Sequence, residues 1–201
     1  MNLSLNEVEA TAKKATRGAG YAWGIAEEAG KAARFLCASG LDGCGALARV
    51  LEGFEGQQML ERVPNRDGDV WGSLGGMCPL LFGTVISDTA QSLLDAPMKA
   101  SNVRETLLLG PFAALAARGL QQVVTLQWGE GRFVTDGAHV ECNGEPPKLS
   151  DVTIALGGVL KDPLPRATRV SPKDADWAIL NKYAHRTYAP ATEESRRKGA
   201  G

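Results

Sequence analysis

With 201 residues, 44% hydrophobic and 22% charged, the chain is long enough to bury a core without disulfide or metal staples. Its 22 basic and 23 acidic residues give a formal net charge of -1, against the strong basic bias of proteins built around nucleic acid or a membrane surface. Neither kind of partner is expected. The N-terminus lacks the basic start and apolar stretch of a signal peptide, and the apolar runs 77–86 and 107–117 fall short of the ~20 residues of a membrane helix. The expected location is the cytoplasm.

Ser4 and Glu7 form a capping-box pattern that predicts a helix over about 5–17, stopped by Gly18 and Gly20. A second helix is expected over 22–38, where Ala22, Ala26, Ala29 and Ala33 recur at helical spacing. Asp42 is placed to cap a third helix through 46–54. Residues 57–77 hold Pro64, Asp67-Gly68-Asp69 and the glycines 72, 75 and 76, and read as a long connection with at most one short strand. That connection divides one expected domain, 1–201, into a helical part (about 1–56) and an α/β part (about 78–201).

Past it, β signals are expected to take over. Residues 80–86 form a short apolar run, after which Ser87-Asp88 offers a cap for a helix over 89–94. Residues 103–109 read as a strand and 111–118 as a short helix with Pro111 in its first turn. Residues 123–128 and 132–135 read as a hairpin around Gly129-Glu130-Gly131. Strands follow at 138–142 and 151–156, and Ser171-Pro172 starts a last helix through Trp177, Leu180 and Ala184. The pattern predicts an α+β fold: a helical N-terminal layer, then a mostly antiparallel or mixed sheet with short helices and a C-terminal helix.

The glycines at 18, 20 and 24 resemble a dinucleotide fingerprint, but a helix rather than a strand precedes them, so a tight helix–helix turn is expected. Glu27 reaches Lys31 at i+4. Glu28 points about 100° away, so the two carboxylates cannot share one site, and an inward-facing one would need Arg34 or another arginine. Cys37, Cys44, Cys78 and Cys142 show no Cys-x-x-Cys spacing and are expected to be reduced. Cys78 has only His139 and His185 as histidine bases in the chain and reads as a buried inert thiol, and no metal-ligand spacing is present. Ser87 and Asp88 form a candidate ligand position at a helix start. The C-terminal run 187–201, with Tyr188, Ser195 and Arg196, is expected to return to residues 17–34. A small anionic or zwitterionic ligand would then have its carboxylate fixed by Arg196 or Arg34.

Three separated segments carry a resemblance. Leu3-Ser4-Leu5-Asn6-Glu7-Val8 through Arg34, Cys78-Pro79-Leu80 to Ile86-Ser87-Asp88, and Thr187-Tyr188-x-Pro190 to Ser195-Arg196-x-x-Gly199-Ala200-Gly201 look like a bacterial family known only as a domain of unknown function. The resemblance spans nearly the whole chain and supplies no activity, substrate or cofactor; members of that family often continue past the last Gly-Ala-Gly. Residues 3–54 are also similar to the opening of malate/L-lactate dehydrogenase-type NAD(P) enzymes, through Leu3-Ser4-Leu5-x-Glu7-Val8, Asp42-Gly43 and Ala48-Arg49. That family carries a histidine in a Ser-His-Gly segment after Asp-Gly. Here Asp42-Gly43-Cys44-Gly45 has none, so the resemblance implies a related helical packing unit without dehydrogenase activity.

Three functions remain open on these grounds. One is a small-molecule-binding protein or accessory subunit of a metabolic enzyme. Another is a small metal-independent enzyme with Glu27 or Glu28 as general base. The third is a structural protein whose small-residue helix forms a homodimer face. Burial discriminates them.

Overall fold

The computed structural model describes residues 1–188. Strand β1 (Leu3–Ser4) leads into helices α1 (Leu5–Gly18), α2 (Trp23–Ala38) and α3 (Gly43–Gly53). Both halves of the capping box form at Ser4 and Glu7, and Asp42 accepts the Gly45 amide at the start of α3. Two short strands follow, β2 (Asn65–Asp67) and β3 (Val70–Gly72), then α4 (Pro79–Asp88), β4 (Met98–Arg104) and α5 (Gly110–Leu120). Strands β5 (Val124–Trp128), β6 (Gly131–Thr135), β7 (Val140–Asn143) and β8 (Leu149–Leu156) complete the main sheet. After them come β9 (Arg169–Val170) and α6 (Asp174–His185).

The seven-stranded sheet runs β2-β3-β4-β8-β5-β6-β7 and is antiparallel except where β3 meets β4. It is the mixed sheet of an α+β fold. Helices α4 and α5 pack on each other, α5 lies on β5 and β6, and α6 returns to α1 and α3, so one continuous apolar core runs from Val8 and Leu36 to Ile154 and Leu180. At the α1–α6 crossing a Cβ on Gly18 would overlap the Tyr183 carbonyl, so only glycine allows this approach. The alanine stripe is spent inside the protein: Ala26, Ala29 and Ala33 are fully buried, and Gly30 of the same helix packs closely on α1 at Glu9.

Three local expectations are corrected. Residues 80–86 are helix, not strand. α4 starts on Pro79 and buries Leu80, Phe82, Gly83 and Ile86, and a short helix buried this fully leaves no 3.6-residue polar rhythm to read. Ser87 and Asp88 consequently end α4 instead of capping a following helix, and Ser87 Oγ donates to the Thr84 carbonyl at 3.0 Å. The strand expected at 103–109 stops at Arg104 because Glu105 turns to φ 46°, and residues 106–109 form a 3-10 turn into α5. The connection 57–77 holds two strands rather than one, β2 and β3, paired antiparallel.

Glu105 clamps the two layers. It is 7% exposed and accepts Arg49 Nε and Nη2 at 2.9 Å each, while its own amide donates to Lys148 O at 2.8 Å. Arg49 also donates to Asp42 at 3.3 Å. A second carboxylate, Glu141, holds residues 157–168 across β7. It is 6% exposed and accepts the amides of Lys161 (2.6 Å) and Asp162 (3.0 Å) and the Asn143 side chain (2.7 Å). The Asp162 and Lys161 amides, then Asn143, hold its carboxyl down at about 2.

Removing one partner of a buried fork costs ~3 kcal/mol, and strain at a positive φ ~1 kcal/mol, so Glu105→Ala should destabilise by ~3 kcal/mol and Glu105→Gly by ~1 kcal/mol less. Urea unfolding checks both the size and the order. Equal losses would remove the strain account. For Glu141 the folded pKa lies below the unfolded ~4.3, so its contribution is present above ~4.3 and lost as pH falls toward about 2. The melting-temperature gap between the protein and Glu141→Gln should therefore be open at pH 7 and close over that acid window. A gap independent of pH would contradict this.

Candidate functional site

The helical layer and the sheet meet at a polar cluster around Phe54. The turn after α1 sends Tyr21 inward, 1% exposed, and Phe54 follows the end of α3, also 1% exposed. A 3-10 turn over Met59–Arg62 delivers Arg62, β4 ends on Arg104, and Cys78 precedes α4. Arg62 is only 6% exposed. Its Nη1 donates to the Tyr21 hydroxyl at 3.1 Å and its Nη2 to the Gln57 carbonyl at 2.8 Å, while the Tyr21 oxygen lies 3.3 Å from Cys78 Sγ. The Arg62 guanidinium sits 5.2 Å from the Phe54 ring centre, and that of half-buried Arg104 sits 5.3 Å from the same ring. Arg104 can lie there because Gly76, at φ 91°, has no Cβ; one would stand 2.9 Å from Arg104 Nε.

Among the described residues neither arginine pairs with a carboxylate. Arg62 Nε, Arg104 Nε, Gln57 Oε1 and Ser73 Oγ are buried and without hydrogen-bond partners. Stacking on an aromatic face returns at most ~2 kcal/mol to a desolvated cation, less than the several kcal/mol its desolvation costs. The cluster therefore holds surplus positive charge. Burial first, then the neighbouring Cys78, pushes the Tyr21 phenol well above its ordinary range, and burial raises the Cys78 thiol. Both stay protonated near neutral pH. Neither histidine is a base for Cys78: exposed His139 pairs with Asp136 at 2.9 Å, and His185 lies against Tyr188.

The residues singled out in the sequence lie elsewhere. Glu27 bonds Lys13 of α1 at 2.6 Å rather than Lys31, because α1 and α2 pack side by side. Lys31 instead takes Glu28 at i+3, 2.7 Å away, and Arg34 takes Glu9 at 2.6 Å. Together they form an exposed ladder of ion pairs. Glu28 and Lys31 also edge an apolar cleft of about 230 Å³ between α2 and α5, floored by Phe35, Phe112 and Leu115. Ser87 and Asp88 stand at the C-terminal end of α4, where the helix dipole disfavours an anion. Tyr188 is 57% exposed, stacked edge-on with His185, and its ring centre is 5.4 Å from Lys14 Nζ, on α1 but before the stretch 17–34 to which the run was expected to return. Ser195 and Arg196 lie outside the described residues.

Sequence reasoning missed Arg62 and Arg104. They come from a turn and a strand end with no shared spacing, and the one available signal was the glycine cluster at 72–76, which lets Arg104 approach.

Residues 3–72 match the model of a family described as "Protein of unknown function (DUF3726)". The match takes in Tyr21, Phe54 and Arg62 and stops before Arg104, and it agrees with the resemblance read from the N-terminal segment. No curated protein matches the chain. Among solved structures, the crystal structure of malate dehydrogenase from Entamoeba histolytica is similar at 12% identity with a TM-score of 0.47. The similarity covers 77% of this chain and 49% of that one, so the chain spans about half the length of that enzyme.

Proposed function

We propose that the protein binds a small anionic ligand, with a carboxylate the preferred group, between Arg62 and Arg104 beside Phe54. The supporting observation is two arginines, one 6% exposed, stacked on one buried ring with no carboxylate partner among the described residues. A guanidinium fork matches a carboxylate in two parallel hydrogen bonds, and the unpartnered Arg62 Nε, Arg104 Nε and Ser73 Oγ are donors. Arg62 and Arg104 are preferred here to Arg34, which already holds Glu9; Arg196 lies outside the described residues.

Binding fits the cluster better than catalysis. Tyr21 and Cys78 are held protonated, and Glu27 and Glu28, the expected general bases, lie on the α1–α2 surface bonded to lysines. The homodimer expected from the small-residue helix loses its surface, since that stripe packs inside the fold. We read the chain as one folding unit, because α6 closes on α1 and α3 and the apolar core is continuous. No helix among the described residues is long and apolar enough to cross a membrane, which is compatible with a cytoplasmic binding protein.

Thermal melts against a mono- and a dicarboxylate, inorganic phosphate and a zwitterionic amino acid test this reading. A ligand at 100 times its dissociation constant adds ~2.7 kcal/mol, and a domain this size gains ~2–4 °C per kcal/mol. A carboxylate should raise the melting temperature by several degrees, Arg104→Met should abolish the rise, and Arg34→Met should keep it. No rise with any of the four, or an undiminished rise in Arg104→Met, would overturn the assignment.

A further inference from the structure

We propose that Cys37 and Cys44 form a redox-active dithiol that exchanges with small carboxylate-bearing disulfides. The pair has a Cys-x6-Cys spacing that no short motif describes. The fold nevertheless brings the two sulfurs to 3.7 Å, across the turn joining the last residues of α2 to the first of α3. A disulfide needs ~2.05 Å, so the two sulfurs must still close the remainder of that gap when the bond forms.

Three observations beyond that contact favour exchange over inert packing. The contact with Cys44, first, draws the Cys37 thiol below its ordinary range against the opposing effect of burial, and the backbone of Cys44 and Gly43 at the N-terminus of α3 adds to it. Cys44 shifts upward, through the same contact with Cys37, then burial and the nearby Asp42. Cys37 and Cys44, 2% and 1% exposed, border a cavity of about 380 Å³ whose walls include Arg169 and Lys173, cations suited to the carboxylates of a peptide disulfide. Cys78, fully buried against Tyr21, and half-buried Cys142 each lack a second sulfur.

The exchange balances without an outside reductant or oxidant other than the disulfide itself. The Cys37 thiolate attacks one sulfur of R–S–S–R, the S–S bond breaks, and RS⁻ leaves and takes a proton. Cys44 then loses its proton to solvent and attacks Cys37 Sγ, forming the Cys37–Cys44 bond and expelling the second RS⁻. The dithiol is oxidised by two electrons, and two RSH are produced.

The test incubates the folded full-length protein with oxidised glutathione and reads intact mass and peptide maps. The expected result is loss of two hydrogens, a Cys37–Cys44 link reversed by dithiothreitol, and Cys78 and Cys142 still alkylatable after unfolding. Cys44→Ser should trap a glutathione adduct on Cys37, and Cys37→Ser should carry none on Cys44. The absence of the Cys37–Cys44 link in the unsubstituted protein, or adducts confined to Cys142, overturns the proposal. The unsubstituted protein decides the question even where a variant fails to fold.

Discussion

The fork between Arg49 and Glu105 fixes where α3 lies against the sheet, and both sites hang on that placement. Arg49 and Gly53 are four residues apart and share one face of α3. Glu105 reaches the first of them, and Arg104, its neighbour in the chain, passes beside the second. The two adjacent side chains can serve the same helix face because the chain turns between strand and 3-10 turn, with Glu105 at φ 46°. That backbone conformation is costly for a residue with a Cβ, and the buried fork offsets it. Released from Glu105, α3 would no longer present Phe54 to Arg104.

Charge is distributed unevenly over this framework. Arg49 is satisfied by Glu105 and Asp42, and the exposed Lys13–Glu27, Lys31–Glu28 and Arg34–Glu9 pairs satisfy one another on the α1–α2 surface. Exposed pairs of that kind contribute ~0–1 kcal/mol each, and their acids are held by solvent as well as by their partners. Arg62 and Arg104 lie where solvent is excluded from part of each guanidinium, and the aromatic ring between them supplies only a quadrupole. An adjacent lysine–glutamate pattern in sequence therefore marks the cheap charges. The costly ones carry the binding reading.

What could be read from the chain followed the range of the forces involved. Caps at Ser4, Glu7 and Asp42 act within four residues, and the turn around Gly129 closes a local hairpin, so α1, α3, β5 and β6 were all legible. α4 was not, because its identity depends on α5: Gly83 lies against the Phe112 ring, and burial on most sides erases the helical rhythm. The arginine cluster was illegible for the same reason at longer range. Tyr21, Phe54, Arg62 and Arg104 come from four separate elements, and only the packing of α1, α3 and β4 brings them together. Cys37 and Cys44 fall between these cases. Their separation is short, but the turn from α2 into α3 decides whether the sulfurs face each other.

The two sites occupy opposite ends of α3, and the chemistry of each end follows from the helix itself. The N-terminal end offers the positive end of the helix dipole beside Cys37, whose thiol is drawn below its ordinary range by Cys44 first. The C-terminal end offers carbonyls and the negative end of the dipole, a place that attracts guanidinium groups; Arg104 runs beside Gly53 there, and Arg62 bonds the Gln57 carbonyl just beyond. A cation gathered at a helix C-terminus is left with donors that the last carbonyls do not consume, and these are the donors free to meet an anion. Tyr21 and Cys78, kept neutral by burial, complete the wall without adding a negative charge that would cancel the arginines. Asp42 caps the amide of Gly45 and holds Arg49, so the N-terminal end of α3, beside Cys44, is tied to the fork between Arg49 and Glu105.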